Sequence, residues 1–285
     1  MKIKKAVITA AGRNQTKVPL QVLVDSDGES KSAIRIILEE AFASGVEEAC
    51  IIVSPGDEEI YRTAAGQVPG KLSFIPQADP RGYGHALLIA QEFVGPHSFL
   101  HFVSDHLYIS NLENRCAQQL VAIAEAEACS VSAVQPTREG MLPYYGAIGG
   151  TRLHHQQNLY TIERVLEKPT PTEAEQSLIV PGLRAGHYLC FFGMHVLSAG
   201  VMEILRRHLG ELPPGQMLHL APALAELARK EKYLACEISG RRYNLGVKFG
   251  LLNAQIALGL AGNDREELLA QLVELLATRH ADHKP

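Results

Sequence analysis

Residues able to do chemistry collect in five short stretches separated by apolar segments. The first is Gly12-Arg13-Asn14-Gln15-Thr16-Lys17, closed by Pro19. Every side chain from Arg13 to Lys17 can donate hydrogen bonds to an anion, and Gly12 lets the backbone approach a ligand. The second runs from Gln77 to Ala86, where Gly82 and Gly84 bracket a turn that opens a helix. There the backbone can approach a flat ligand such as a base, and Gln77 can pair with an amide edge. The third is Val103-Ser104-Asp105-His106, which puts a carboxylate at the end of an apolar run, suited to holding Mg²⁺ together with substrate phosphates. In the fourth, Glu163 to Pro169, Glu167 can accept sugar hydroxyls and Lys168 can neutralise a phosphate. The fifth, Gly240 to Gly250, reads as a polar turn leading into an apolar helix, with Asn244 offering a neutral oxygen to a metal.

Each stretch also has a plainer account. The first serves as an ordinary strand-to-helix connection with a basic surface loop. The second is a helix-initiating turn, Asp105 and Asn244 are caps, and Glu167 with Lys168 forms an exposed ion pair at a strand end.

The elements that must position these residues alternate along the chain. Apolar runs at 6–11, 49–53, 72–76, 99–103 and 130–135 have the length of buried strands, and 22–25 is a shorter run. Residues 145–150 and 160–167 read as a strand pair, with further strands at 184–194 and 233–239. Helices are expected at 33–44 (capped by Ser32 or Ser30 and stopped at Gly45), 57–65, 84–93, 112–128, 201–209, 218–230 and 245–258. Asn263 or Asp264 caps a last amphipathic helix through 277. This alternation implies an α/β fold, Rossmann-like, with a mostly parallel central sheet and helices on both faces. A strand feeding a glycine turn at the carboxyl edge of such a sheet is where α/β proteins hold phosphates. One domain over residues 1–261 is expected, followed by a C-terminal amphipathic helix and polar tail over 262–285. The leucines of that helix, Leu268, Leu269, Leu272, Leu275 and Leu276, serve either core packing or contact with a second copy in a homo-oligomer; core packing is the expectation.

Composition narrows the function classes. The 285 residues are 46% hydrophobic, enough for a full core. A formal charge of −4 and the lack of any Lys/Arg block argue against nucleic acid as a partner, while a local basic pocket remains compatible with anionic ligands. Cys50, Cys116, Cys129, Cys190 and Cys236 are scattered and odd in number, without CxxC spacing, which suits reduced thiols in a cytoplasmic protein. The basic start Met1-Lys2-Ile3-Lys4-Lys5 runs into a strand rather than a signal peptide. No stretch approaches the roughly 18 apolar residues of a membrane span.

Taken in order, the stretches resemble the bacterial UTP–glucose-1-phosphate uridylyltransferases, within the wider sugar-nucleotide pyrophosphorylase superfamily of nucleotidyltransferases. The resemblance covers residues 5–261. It rests on Ala10-Ala11-Gly12, the QxxPxGxGHA pattern of Gln77 to Ala86, Glu167-Lys168-Pro169 and the GxRYxxGxxxG pattern of Gly240 to Gly250, with Tyr145-Gly146 and Gly186-His187-Tyr188 as smaller matches. It implies attack of a sugar-1-phosphate oxygen on the α-phosphorus of UTP, with pyrophosphate leaving. Such transfer is catalysed mainly by positioning and charge neutralisation. By position, Ala11 and Gly12 contact the nucleotide, Gln77 and Gly82 hold uracil, and Asp105 binds Mg²⁺. Gly146, Glu167 and Gly186 hold the sugar, and Lys168 faces its phosphate.

The chain also departs from the family. Where the family reads GxGTRxxPxTKxxPK, this loop is several residues shorter and lacks Gly-Thr-Arg, and Leu20 stands for the lysine after proline. Arg13 and Lys17 are left as the charges that would stabilise pyrophosphate. The second metal carboxylate of the family's RYD motif is Asn244, which keeps an oxygen and loses a charge. Two functions are therefore carried forward: a Mg²⁺-dependent transferase, and a relative that binds nucleotide sugar as a sensor or partner subunit. A glycosyltransferase would want a DxD motif, which Asp105-His106-Leu107 does not supply.

Overall fold

Apolar runs too short for helices become the strands of one large sheet. The computed structural model describes residues 1–12, 17–154 and 156–281. In chain order the elements begin with β1 (Lys5–Thr9), β2 (Val22–Val24), β3 (Ser30–Ser32), α1 (Ala33–Ala43), β4 (Glu48–Val53), α2 (Glu58–Ala65) and β5 (Lys71–Pro76). They continue with α3 (Tyr83–Leu88), α4 (Gln91–Val94), β6 (Phe99–Val103), β7 (His106–Ser110), α5 (Cys116–Glu127), β8 (Ser130–Arg138) and the 3-10 turn Glu139–Tyr144. Then come β9 (Ala147–Arg152), β10 (Leu159–Leu166), α6 (Pro171–Ser177), β11 (His187–Leu197), α7 (Gly200–Glu211) and α8 (Leu220–Lys230). The chain closes with β12 (Tyr233–Glu237), β13 (Gly240–Asn244), α9 (Gly250–Ala261) and α10 (Arg265–Ala281).

Nine strands form the central sheet in the order β5-β4-β1-β6-β11-β8-β12-β10-β9. The β5-β4-β1-β6 half is parallel throughout. Beyond it the sheet is mixed: β11 is antiparallel to β6 and β8, β12 is parallel to β8, and β10 is antiparallel to β12 and β9. The short link between β9 and β10 permits only an antiparallel pair, because a parallel one needs a crossover of a dozen or more residues. The expected parallel sheet thus describes one half, and the whole is a mixed α/β fold.

Side chains of β1 alternate between two cores, Ala6 and Ile8 on one face and Val7 on the other. The first core takes apolar residues of α1, α2, α5 and α9; the second takes those of α3, α4, α7 and α8. Helix α1 follows its sequence signals closely. Ser32 Oγ accepts from the Arg35 N–H at 3.2 Å, Ile34, Ile37 and Leu38 are fully buried, and Gly45 at φ +94° ends the helix.

Several elements differ from expectation. The helix over 84–93 is broken into α3 and α4. The helix over 112–128 starts only at Cys116, and a strand, β7, precedes it. Residues 240–244 are no turn: they form β13, antiparallel to β7, with Asn244 opposite His106. Helix α9 consequently starts at Gly250, where a Cβ would strike the Asn244 carbonyl. The short helix α6 was not anticipated; Thr170 and Glu173 cap it reciprocally. All five cysteines are free and buried. Core packing does not describe α10: Leu268 packs over Gly259, yet Leu269, Leu275 and Leu276 stay exposed. This helix lies mainly along α9, so one neighbour cannot cover its leucine face. Among the described residues no helix is long and apolar enough to cross a membrane.

Candidate active site

The carboxyl ends of β1 and β6 open into a cavity of about 750 Å³. That is the edge at which parallel α/β sheets present ligand-binding groups. Ala10 N–H still bonds the Ile52 carbonyl at 2.8 Å, so the chain stays extended past β1 and delivers Ala11 and Gly12 to the cavity wall. Gln77, directly after β5, is buried and lines the same wall. Its Nε2 donates to His85 Nδ1 at 3.0 Å and to the Gly82 carbonyl at 3.4 Å. Burial holds His85 below the usual histidine range, partly offset by Asp79, which suits an accepting Nδ1. Gly82 also lines the cavity, but its glycine has a packing reason: at φ +106° an added Cβ would lie 2.6 Å from the Leu218 carbonyl oxygen.

Another part of the lining comes from the ribbon of β7 and β13, which builds a group of oxygen donors. Asp105 sits in the turn between β6 and β7, and its carbonyl accepts from Leu245 N–H at 2.8 Å. That bond continues the ribbon and draws Asn244 beside Asp105; both line the cavity. Asp105 Oδ1 accepts from His106 Nδ1 at 2.7 Å, and Asn244 Oδ1 accepts from Gly246 N–H at 2.8 Å. A carboxylate and an amide carbonyl are hard oxygen donors. They fit a small divalent cation that keeps most of its waters and shares substrate phosphates.

Across the cavity, Gly146 and Glu167 are close neighbours. A Cβ on Gly146 would meet Glu167 Oε2 at 3.2 Å and Phe191 at 2.9 Å, so the missing side chain admits the carboxylate. Solvent in the cavity reaches Glu167, while the surrounding protein atoms raise its carboxyl above the usual range; Lys168 and His219 pull it back down. Lys168 holds φ +45° without being glycine, a locally strained conformation of the kind that clusters at functional sites. Arg242 lies behind this wall, its guanidinium 3.9 Å from the Tyr145 ring centroid.

Of the residues singled out in sequence, Ala11, Gly12, Gln77, Gly82, Asp105, Gly146, Glu167, Lys168 and Asn244 meet around this one cavity. Gly186 does not. It sits in an exposed turn whose carbonyl accepts from Glu139 N–H, with open space around it. Gly193 takes the place at the cavity instead. It lies in a bulge of β11 at φ +92°, where a Cβ would be 2.9 Å from Val103 and 3.0 Å from the Tyr108 hydroxyl. A glycine interrupting an apolar strand was the available signal for that bulge. Lys17 is exposed, with its carbonyl accepting from Leu20 N–H, and is not part of the lining. Arg13 lies outside the described residues.

Sequence reasoning also passed over His106, His195 and His219, which line the cavity. His195 belongs to a buried polar seam. It hydrogen-bonds Ser132, which in turn bonds the Tyr233 hydroxyl, and burial brings its imidazole down to about 3. It is therefore a neutral group at neutral pH.

Residues 17–239 match the family described as nucleotidyl transferase. The UTP–glucose-1-phosphate uridylyltransferase YngB of Bacillus subtilis is 30% identical over 305 aligned residues, covering 96% of both chains. The UTP–glucose-1-phosphate uridylyltransferase of Streptococcus pneumoniae serotype 4 is 26% identical over 96% of both. Among solved structures, a UDP-glucose pyrophosphorylase complexed with UDP-glucose superposes with a TM-score of 0.73 at 23% identity, covering 90% of this chain and 98% of that one. The structural likeness carries the fold.

Proposed function

The chain belongs to the nucleotidyl transferase family, and from that premise we propose that it joins UTP and glucose 1-phosphate, or a related sugar 1-phosphate, into UDP-sugar and pyrophosphate. The observation that supports this reading best is the convergence of Gln77, Asp105, Glu167, Lys168 and Asn244 on one cavity from distant parts of the chain. The Bacillus and Streptococcus relatives carry the name of the same reaction.

The roles follow from the chemistry of each group. The Gln77 amide faces uracil beside Ala11, Gly12 and Gly82. Glu167 accepts sugar hydroxyls, with Gly146 leaving room for them. Lys168 neutralises the sugar phosphate whose oxygen attacks the α-phosphorus in line. Asp105, with the Asn244 oxygen, would hold Mg²⁺, which when bound draws charge from the phosphates. Arg13 is the charge left for the leaving pyrophosphate, since Lys17 does not line the cavity. The site belongs to the stretch 1–261, and α10 is an appendage to it. Five buried thiols and the charge of −4 suit a cytoplasmic enzyme with small-molecule partners.

The test is pyrophosphate release from the purified protein with UTP, glucose 1-phosphate and Mg²⁺, beside other nucleotides and sugar phosphates. Turnover is expected, and Asp105→Asn should lower it by about 100-fold or more, the scale of losing a principal electrostatic group. Full activity of that variant would remove Asp105 from the site. A second reading is favoured by the short loop and by Asn244: a nucleotide-sugar sensor. Saturable UDP-glucose binding with no turnover across the panel would select it.

A further inference from the structure

We infer that Arg242 is a positioning residue: its guanidinium clamps the Tyr145 ring and so sets the place of Gly146 in the sugar wall. The inference rests on the transferase reading of this cavity. Arg242 belongs to the same stretch as Asn244 yet does not itself line the cavity. It is buried, and no carboxylate pairs with it among the described residues. Burying a charge in this way is costly, and an apolar chain of similar length would fill the space more cheaply. What an apolar chain would lack is the flat contact. The guanidinium carbon lies 3.9 Å from the Tyr145 ring centroid, a stacking distance. Strand β8 fixes that plane at two points. Arg242 Nη2 donates to Thr137 Oγ1 at 3.0 Å, and its backbone N–H donates to Gln135 Oε1 at 3.3 Å.

The clamp reaches the site in one step. Tyr145 lines the cavity and runs directly into Gly146. The fit there is tight, since a Cβ on Gly146 would meet Phe191 at 2.9 Å and Glu167 Oε2 at 3.2 Å. A Tyr145 ring settled differently would carry Gly146 toward or away from the carboxylate proposed to accept sugar hydroxyls. The ribbon has a second tie to the sheet, because the Tyr108 hydroxyl donates to the Gly193 carbonyl at 2.8 Å. Loss of the arginine therefore falls on Tyr145 before it falls on the ribbon.

The experiment measures dissociation constants of UDP-glucose and of UDP by calorimetry, with urea midpoints alongside. It uses the unaltered protein, Arg242→Met, Arg242→Lys, Tyr145→Leu and the double variant Arg242→Met with Tyr145→Leu. UDP keeps the base and phosphates and lacks the sugar. Arg242→Met keeps the length and removes both charge and plane. It should weaken UDP-glucose about 10-fold and leave UDP within about 2-fold, since a 1 Å misplacement can cost roughly 100-fold and this shift is smaller. In turnover, KM for glucose 1-phosphate should rise by a similar factor while KM for UTP holds. Arg242→Lys keeps the charge without the plane and should recover part of the loss. With Tyr145→Leu already in place, Arg242→Met should weaken UDP-glucose no further. The proposal is overturned if Arg242→Met lowers the urea midpoint while UDP-glucose affinity stays the same, which would make the arginine merely structural. It is also overturned if UDP weakens as much as UDP-glucose, or if the Arg242→Met and Tyr145→Leu effects simply add. Should Arg242→Met fail to fold, Arg242→Lys with and without Tyr145→Leu makes the same comparison. If the unaltered protein neither turns over nor binds UDP-glucose, the transferase reading falls first and takes this inference with it.

Discussion

Carboxylates gather in two places in this protein, and their fates differ. Near the start of the chain, oxygens of Asp25, Asp27 and Glu39 lie within 4.8 Å of one another, a spacing that could hold a metal ion. The ammonium of Lys31 is already there, bonding Asp25 at 2.9 Å, Glu39 at 2.7 Å and Asp27 as well. Burial alone would lower the Lys31 pKa, but hydrogen bonds to Asp27, Glu39 and Asp25 outweigh it and raise it. In the cavity, Asp105 accepts from His106 and Glu167 has Lys168 and His219 nearby, yet both carboxylates still line open space. A cluster whose counter-charge comes from its own chain is closed and structural. One that leaves polar capacity facing a cavity is built for something that arrives.

The comparison can be broken first on the closed side. Lys31→Met should destabilise the fold by about 3 kcal/mol, because removing one partner strands buried carboxylate charge. A lower urea midpoint with an unchanged slope would register it, and UDP-glucose affinity of the folded protein should stay the same. An unchanged midpoint would mean that the lysine does not hold that cluster together. On the open side, Asn244→Asp restores a charge next to Asp105 and should tighten Mg²⁺ binding by about 10-fold, within the range for supporting ligands. Calorimetry with Mg²⁺ alone checks this; an unaltered affinity places Asn244 away from the ion.

The smallest effect concerns pH. In its proposed role Glu167 accepts hydroxyls more strongly as the anion, and its carboxyl is raised because surrounding protein disfavours the anion. The folded state thus holds this proton more tightly than the unfolded chain does. The associated stability is present below the unfolded value and lost as pH rises through the folded one. The acid limb of kcat/KM for sugar phosphate should accordingly lie above that of an ordinary carboxylate. His219 lowers the Glu167 pKa, so His219→Gln should move the limb upward. A downward move would contradict the assigned direction.

Much of the open cluster was legible because strand ends in a parallel half-sheet must meet at one edge. The runs that became β1, β4, β5 and β6 are continuous and apolar, so Gly12, Gln77 and Asp105, just past three of their ends, fell together. The β7–β13 ribbon was not legible. Its strands have five residues each, pair only with one another, and one carries Arg241 and Arg242. A buried arginine stacked on Tyr145 is a tertiary fact that a polar run conceals. Gly186 precedes β11 and Gly193 lies within it, and sequence alone could not say which one would line the cavity. The leucines of α10 announce a face without naming what covers it.

The ribbon also sets an order of assembly. As synthesis proceeds from the N-terminus, β5, β4, β1 and β6 can all be complete while β13 is still unmade. Until β13 arrives, β7 is an unpaired edge, open to the wrong strand. Closing that edge requires a long loop of chain to be drawn together, an entropic cost that local contacts cannot offset early. The wall carrying Gly12 and Gln77 should therefore take shape before the wall built on the β7–β13 ribbon. A chain ending before residue 240 would carry half a site, and amides of β7 and β13 should exchange with solvent as one cooperative unit.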